Sequence, residues 1–223
     1  AVREELGLSA SQEISPEIAL QLETLVVNGQ DKQSWQKIKS LSGIEQFSNL
    51  RTLQLMNQEV SDLGPLGSLL ILENLHLENN GVSDISAIAN LRNLKYLNLR
   101  SNQITSTNDL SFLTSLETVF LSNNQIINLV GLRHTSSLKK LDASNNQINT
   151  LFVEWNVPNL TDLNLRNNRI TSLVVMQHWN LGELLNLDLR GNQLNSASCD
   201  MRVQLYSKFN PAAGLPAGFK TDC

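Results

Sequence analysis

The 223-residue chain is poor in the residues that mark most catalytic and nucleic-acid-binding proteins. It contains two cysteines, three histidines and only 5% aromatic residues, and its formal net charge is −4. Proteins that bind nucleic acid usually carry a basic face, so this balance of charge predicts no nucleic-acid partner. No apolar run approaches the roughly 18 residues that a membrane-spanning helix needs, and we therefore expect no membrane span in this chain.

The few histidines are also badly placed for catalysis. His76, His134 and His178 fall in separate segments, and the sequence has no nucleophile–base spacing, glycine-rich phosphate loop or metal-binding cluster. His76 and Glu78 would share one face of a strand, but two ligands are too few to predict a metal site. The sequence thus predicts a protein that is not an enzyme and that needs no cofactor or metal.

What the chain does contain is an internal repeat, L-x-x-L-x-L-x-x-N, whose copies each open on a leucine. The opening leucines are Leu22, Leu50, Leu72, Leu94, Leu116, Leu138, Leu160 and Leu184. Successive openings differ once by 28 residues, then five times by 22, and finally by 24. A constant period within about 20 to 29 residues, carrying this pattern, is the signature of a leucine-rich repeat.

Each copy reads as a short strand followed by a turn. Leu97 and Leu99 alternate with polar residues, as in a strand that buries one face. The ninth position of the repeat is Asn80, Asn102, Asn124, Asn146, Asn168 and Asn192. An amide in this place can bond the backbone of neighbouring coils, so we expect it to be buried and stabilising. Asn123, one residue earlier, is expected to be exposed and to contribute little.

Beyond the asparagine, apolar residues fall every third position, as Val82, Ile85 and Ile88 do. This spacing favours tight turns over long helices. The predicted fold is therefore of the α/β class: a right-handed leucine-rich repeat solenoid with a parallel concave β-sheet, a convex side of short 3₁₀ turns and loops, and helical caps. We expect one domain, 1–223, with an N-terminal cap over 1–21, eight repeats over 22–194 and a C-terminal cap over 195–223.

Both caps are predicted from helix signals outside the repeat. Ser15 followed by Pro16 is a helix start, with serine as the cap and proline in the first turn. Near the other end, residues 198–209 place apolar side chains on one side of a second capping helix. Cys199 and Cys223 both lie in this terminal region, which favours a disulfide rather than a metal site. A disulfide in turn indicates an oxidising compartment.

Two tryptophans fall where the repeat is irregular. Trp35 lies in a six-residue insertion of the first coil, and we expect its indole to pack that enlarged coil, the alternative being a binding role. Glu154 falls on an inward position next to Trp155. We expect Trp155 to take the inward place, and a functional bulge is the alternative.

The 22-residue repeats with N-x-[IV]-x-x-[IL]-x-x-L, preceded by a small helical cap, resemble the internalin-type leucine-rich repeats of bacterial surface proteins. The resemblance covers about 1–194, and 1–55 in particular resembles their cap and first coils. It implies a secreted or cell-surface adhesion or recognition module that binds a protein, or a glycan, on its concave sheet. Intracellular phosphatase-regulating proteins share the period, so an intracellular scaffold that regulates a partner enzyme is the alternative. In either case we expect a monomer.

The outward strand positions form columns along the concave sheet, and several of them carry aromatic or charged side chains. The predicted partner-binding residues are Met56, His76, Glu78, Tyr96, Asn98, Arg100, Phe120, Lys140 and Asp142. Aromatic and arginine side chains together are enriched at the energetic centres of protein interfaces, and Tyr96 and Phe120 are expected to be exposed there. The alternative is that these columns only pack against each other.

Overall fold

The computed structural model describes residues 14–152, 154–179, 183–201 and 218–222, which build one parallel sheet. Its nine strands lie in chain order, so each strand pairs with the next one along the sequence. They are β1 (Thr24–Asn28), β2 (Thr52–Met56), β3 (Asn74–His76), β4 (Tyr96–Asn98), β5 (Thr118–Phe120), β6 (Lys140–Asp142), β7 (Asp162–Asn164), β8 (Asn186–Asp188) and β9 (Gly218–Lys220). This is the leucine-rich repeat solenoid that the period predicts.

The register of the sheet follows the repeat. Asn74 pairs with Tyr96, and Tyr96 pairs with Thr118, so a residue lies beside its equivalent one repeat later. The opening, fourth and sixth positions of the repeat are buried, and one hydrophobic cluster runs from Ala19 to Leu189. No coil could bury these side chains alone, because each one packs against those of its neighbours.

The sheet has one strand more than the eight that the repeat predicts. β9 comes from the segment after the last repeat, and its Phe219 pairs with Leu187 of β8. A parallel ladder joins backbone groups and requires no particular side chain, so a strand without the leucine pattern can extend the sheet.

The convex side consists of short 3₁₀ turns, as predicted. They are Ser34–Gln36, Ile44–Gln46, Gly64–Ser68, Ser86–Ile88, Asn108–Leu110, Val130–Leu132 and Val174–His178. The turns bury apolar residues such as Leu66, Ile88 and Leu110, which pack against the inward side of the strands. No helix among the described residues is both long and apolar enough to cross a membrane.

The N-terminal cap includes α1 (Pro16–Gln21), which begins as predicted: the Ser15 side chain accepts a hydrogen bond from the backbone N–H of Ile18 at 3.4 Å. A second helix begins at residue 196, two residues before the predicted start, and its continuation beyond 201 lies outside the described residues. Cys223 also lies outside them, so its pairing with Cys199 stays a prediction.

The buried asparagine column bonds each coil to the one before it. Asn124 donates from Nδ2 to the carbonyl oxygens of Leu99 at 2.9 Å and Leu121 at 3.0 Å. Its Oδ1 accepts from the backbone N–H of Ile104 at 3.0 Å. The same pattern recurs at Asn102, whose amide bonds two neighbouring coils in the same way. The column therefore satisfies backbone groups that the stack buries.

In six coils the residue before the ninth position of the repeat has a left-handed backbone conformation, and that ninth position is an asparagine in all of them except the coil of Gln58. These residues are Asn57, Asn79, Ser101, Asn123, Asn145 and Asn167, with φ between 53° and 58°. Their side chains form a second ladder, in which Asn145 donates to Asn123 at 3.0 Å and Asn79 donates to Asn57 at 2.8 Å. Asn123 is exposed, as expected. Its small contribution to stability stays a prediction, although asparagine is favoured in this conformation and bonds its neighbour.

Trp35 does not pack the first coil, which contradicts the sequence-based expectation: its side chain is 80% exposed. The enlarged coil is held instead by Gln58, whose buried amide accepts from the backbone N–H of Ile38 at 2.9 Å and donates to the carbonyl of Val27 at 3.1 Å. These hydrogen bonds satisfy the backbone of the insertion, and the indole is left on the surface.

Trp155 takes the inward position, as expected. Its side chain is 1% exposed, and its Nε1 donates to the carbonyl of Leu132 at 2.9 Å. Glu154 points outward and lies 3.4 Å from Arg133. The indole also meets the ring of Trp179 edge-on, with centroids 4.9 Å apart. This local repacking accounts for the irregular coil.

Candidate protein-binding surface

All the predicted binding residues except Met56 lie in β3 to β6 or within two residues of the end of one of these strands. The middle residue of each of these strands is buried, so the residues on either side of it face outward. Five of the predicted residues form one connected group, which we name the concave cluster. Its members are His76, Tyr96, Arg100, Phe120 and Asp142.

Three aromatic rings form the first half of the concave cluster. The His76 imidazole stacks on the Tyr96 ring, with centroids 4.4 Å apart and an interplanar angle of 21°. Tyr96 in turn contacts Phe120 at 5.6 Å and a tilt of 59°. Because the strands pair in register, each ring comes from a neighbouring coil. The rings are therefore held in a row across β3, β4 and β5.

Phe120 is less exposed than the sequence predicts, at 9%. The guanidinium of Arg100 lies over its ring, with Cζ 3.9 Å from the centroid, and the ammonium of Lys140 lies 5.8 Å away. A cation over an aromatic face is attracted by the ring electrons. Phe120 therefore forms the base of the cluster, and Tyr96, which is half-buried, offers the larger accessible ring.

Arg100 joins the aromatic rings to the charged residues of β6 and beyond. Its Nη2 lies 2.8 Å from Asp142 Oδ2, and its Nε donates to Ser122 Oγ at 3.1 Å. Asp142 also accepts a hydrogen bond from the Ser144 hydroxyl at 2.7 Å. These contacts fix the guanidinium in one orientation, so the cluster is pre-organised in the unbound protein.

Three other predicted residues are not members of this connected group. Asn98 is buried, and its Oδ1 accepts from the backbone N–H of Arg100 at 3.2 Å, which is a structural role. Met56 lies at the end of β2 and is half-buried. Glu78, two residues after His76 on the same strand face, is half-buried beside the aromatic row.

The two titratable rings have shifted pKa values. Burial lowers the pKa of the His76 imidazole, and the Glu78 carboxylate partly offsets this by favouring the charged form. Burial raises the pKa of the Tyr96 hydroxyl, Glu78 raises it further and Arg100 opposes both. Both rings are therefore held in their uncharged forms near neutral pH. Within the described part of the chain, no group of three or more His, Cys, Asp or Glu residues could hold a metal ion.

A row of charges beside the sheet was not recognised from the sequence. Glu73 pairs with Arg51 and with Lys95, each at 2.7 Å, and Glu117 pairs with Lys139 at 2.6 Å. Alternation of charge at successive repeats is the signal that could have revealed it. Exposed ion pairs of this kind contribute little to stability. The row lies one residue before the first residue of each strand, and it is therefore a charged border to the outward strand positions.

Comparison with known proteins gives both the repeat family and its structural relatives. The family model for leucine-rich repeats in two copies matches residues 72–114 and 136–179. The crystal structure of internalin C2 from Listeria monocytogenes superimposes with a TM-score of 0.78 and 27% identity, over 99% of this chain and 89% of that one. The chain therefore has the leucine-rich repeat fold and is similar to proteins of the internalin type. Among curated protein sequences, none matched the chain.

A second relative has the same architecture in a longer protein. A leucine-rich repeat protein of Leptospira interrogans superimposes with a TM-score of 0.77 and 26% identity, over 95% of this chain. The chain spans about half of that protein, 52% of its length. Leucine-rich repeat proteins generally mediate protein–protein recognition.

Proposed function

We propose that this internalin-type solenoid is a non-catalytic recognition module of a secreted or cell-surface bacterial protein. It acts as a monomer and binds a protein partner through the concave cluster. The observation that carries this proposal is the row of aromatic rings on the outward face of the sheet, next to a fixed arginine. Such combinations are enriched at the energetic centres of interfaces.

The fold itself does not require these rings. The column that contains Tyr96 has Thr52, Asn74 and Thr118 in neighbouring coils, and these small polar residues occupy the same register. The solenoid therefore tolerates a range of side chains at this position. Tyr96 is better explained by a ligand than by packing, because the inward leucines already supply the core.

A protein partner fits the cluster better than a glycan does. Sugars commonly bind by stacking on an open aromatic face, but His76 already covers one face of Tyr96 at 4.4 Å. Phe120 is covered in the same way by Arg100. The accessible ring edges, hydroxyl and neighbouring charges suit the side chains of a protein surface.

The test uses immobilised protein to capture partners from cell extracts, with quantification of each captured protein for wild type and Tyr96→Ala. We expect at least one specific partner to bind Tyr96→Ala more weakly by about 1 kcal/mol or more, with little change in melting temperature. Phe120→Ala is unsuitable as the main variant, because truncating a buried aromatic residue also lowers stability.

Phe112→Ala is the matched control. Phe112 follows the convex turn Asn108–Leu110 and is 60% exposed, so its truncation removes an exposed ring on the other side of the coil. We expect this variant to capture partners as wild type does. Partners that are kept by Tyr96→Ala and lost by Phe112→Ala would refute the concave face as the binding surface.

The intracellular scaffold alternative uses the same face and differs in location and redox state. Intact mass of freshly isolated protein, measured without reducing agent, separates the two. A mass two hydrogens below that of the reduced chain supports an oxidising compartment and the pairing of Cys199 with Cys223. Two alkylatable thiols support the intracellular scaffold.

A further inference from the structure

Glu78 carries a charge that no described residue neutralises. No side chain in the described part of the chain forms an ion pair or hydrogen bond with its carboxylate, and its Oε2 is buried without a hydrogen-bond partner. A buried polar atom without a partner costs free energy, so such atoms are uncommon in folded proteins. The carboxylate therefore has unused capacity to accept hydrogen bonds.

The nearest candidate to neutralise Glu78 is turned away from it. Arg100 is the equivalent residue of the next coil, 22 positions later, and lies in the same column. Its guanidinium points instead towards the following coils, where it contacts Phe120, Ser122 and Asp142. The concave cluster thus uses its arginine internally and leaves the acid without a cation.

Aromatic rings border the free carboxylate. Glu78 follows His76 on the same strand face, and its charge acts on both the His76 imidazole and the Tyr96 hydroxyl, raising the pKa of each. Glu78 itself is half-buried, so part of its side chain remains accessible to a ligand. A carboxylate beside aromatic rings is a favourable environment for an ammonium or guanidinium group.

Unpaired charge of the opposite sign lies at the other end of the same face. Lys140 in β6 and Arg166 after β7 have no ion-pair partner among the described residues. β3 and β6 are three strand spacings apart, roughly 14 Å. A basic group on a partner therefore meets a carboxylate without a cation near β3, whereas near β6 it meets Lys140 together with the carboxylates of Asp142 and Asp162.

We infer that Glu78, bordered by His76 and Tyr96, is an acceptor subsite for a lysine or arginine side chain of the protein partner. This inference rests on the proposed function and specifies the chemistry of its ligand. A basic side chain would neutralise the Glu78 carboxylate from the accessible part of this side chain and would contact the neighbouring rings.

The test uses a small probe, the N-acetyl methylamide of arginine, and NMR signals of the Tyr96 and His76 rings. We expect saturable shifts of both rings with arginine, and at least about tenfold weaker binding with the citrulline analogue, which has the same shape without the charge. Glu78→Gln should weaken binding of the arginine probe to the same extent. Glu154→Gln, which removes an exposed carboxylate outside the concave face, should bind it as wild type does.

Equal shifts with arginine and citrulline, unchanged binding by Glu78→Gln, or shifts confined to other residues would overturn the inference. Its failure is distinct from that of the proposed function. If Tyr96→Ala weakens binding of a partner but Glu78→Gln does not change binding of the arginine probe, only the subsite is refuted. An arginine probe that binds at Glu78, together with partners indifferent to Tyr96→Ala, refutes the concave face as the protein-binding surface and the subsite's role in it.

Discussion

The turns and the outward strand face of this solenoid follow opposite rules. In the turns the same residue types recur in most coils, with an asparagine preceded by a residue in the left-handed conformation that is itself usually asparagine. On the outward strand face the residue changes at almost every coil, as from Asn74 to Tyr96 to Thr118. Repetition therefore marks the positions that hold the fold, and variation marks the positions free to recognise a partner.

The turns and the outward strand face also differ in how far along the chain their side-chain contacts extend. Each buried asparagine bonds its own coil and the coil before it, which every repeat can reproduce. Arg100 instead reaches Asp142, which lies 42 positions later and two coils away. The concave cluster is thus a single arrangement built on a repeated scaffold.

The largest effect is expected from Asn124→Ala. This change leaves the carbonyls of Leu99 and Leu121 and the N–H of Ile104 without their partner in a buried place. The free energy of unfolding should fall by about 3 kcal/mol, the upper end of the cost of unsatisfied buried groups. Urea denaturation, compared with wild type at equal slope, measures the loss.

The control for that measurement is Gln125→Ala, since Gln125 is the exposed residue that follows Asn124. We expect its free energy of unfolding to stay within about 0.5 kcal/mol of wild type. Similar losses for the two variants would show that the turn columns do not hold the fold in the way described.

A smaller effect of opposite sign is expected from Ser101→Asn. Ser101 has φ of 53° and interrupts the outer ladder, so that Asn79 Oδ1 and Asn123 Nδ2 have no ladder partner there. Asparagine tolerates this conformation better than serine does and would join the two halves. We expect a gain of about 1 kcal/mol in the free energy of unfolding.

The same substitution at Gln103, an exposed position in the same turn where φ is not positive, serves as the control. It should leave stability nearly unchanged. A loss of stability in Ser101→Asn, measured by the same urea transitions, would contradict the prediction that an asparagine at this position completes the ladder.

The smallest effect is expected on the concave face, in the titration of His76. Its pKa should lie below the ordinary value of 6.5, because burial disfavours the charged imidazole more than Glu78 favours it. Glu78→Gln should lower the pKa further, whereas Glu154→Gln should not change it. NMR titration of the ring signals measures both. A pKa at or above 6.5 in wild type would contradict the burial of this ring.

The same shift gives the direction of a pH effect on stability. The unfolded chain binds a proton at His76 at higher pH than the folded chain does. The contribution of His76 to the free energy of unfolding is therefore fully present above about pH 6.5. This contribution is lost as the pH falls from the unfolded pKa towards the lower folded pKa. Replacement of His76 by glutamine should remove that part of the pH dependence of the free energy of unfolding.

Much of the architecture follows from residues that can be read in the sequence. The leucine spacing predicts the strands, their register and the convex 3₁₀ turns, because each depends on a pattern that every coil repeats. The left-handed conformation before each buried asparagine was missed, although the recurring Asn-Asn pair was visible. The exposure of Trp35 was also missed, because it depends on Gln58 from the next coil, which carries the hydrogen bonds of the insertion.

The sequence predicts which residues lie on the candidate surface, but it does not predict which contacts their side chains make. The period places His76, Tyr96, Arg100 and Phe120 on one face. It does not decide whether Arg100 turns towards Glu78 or towards Asp142, because both acids lie within reach of a long, flexible side chain. That choice depends on the competing attraction of the Phe120 ring and the Ser122 hydroxyl, which act only in the folded molecule.

The sheet has a translational symmetry that the concave cluster lacks. Moving the structure by one coil places Asn102 on Asn124 and Leu97 on Val119, and the scaffold is nearly unchanged. The same movement places Tyr96 on Thr118 and Arg100 on Ser122, and the cluster disappears. Inserting or removing a whole 22-residue coil would therefore preserve the backbone ladders while changing the distance between outward-facing residues of different coils. Such a chain can alter the spacing of its surface groups in discrete steps without redesigning its interior.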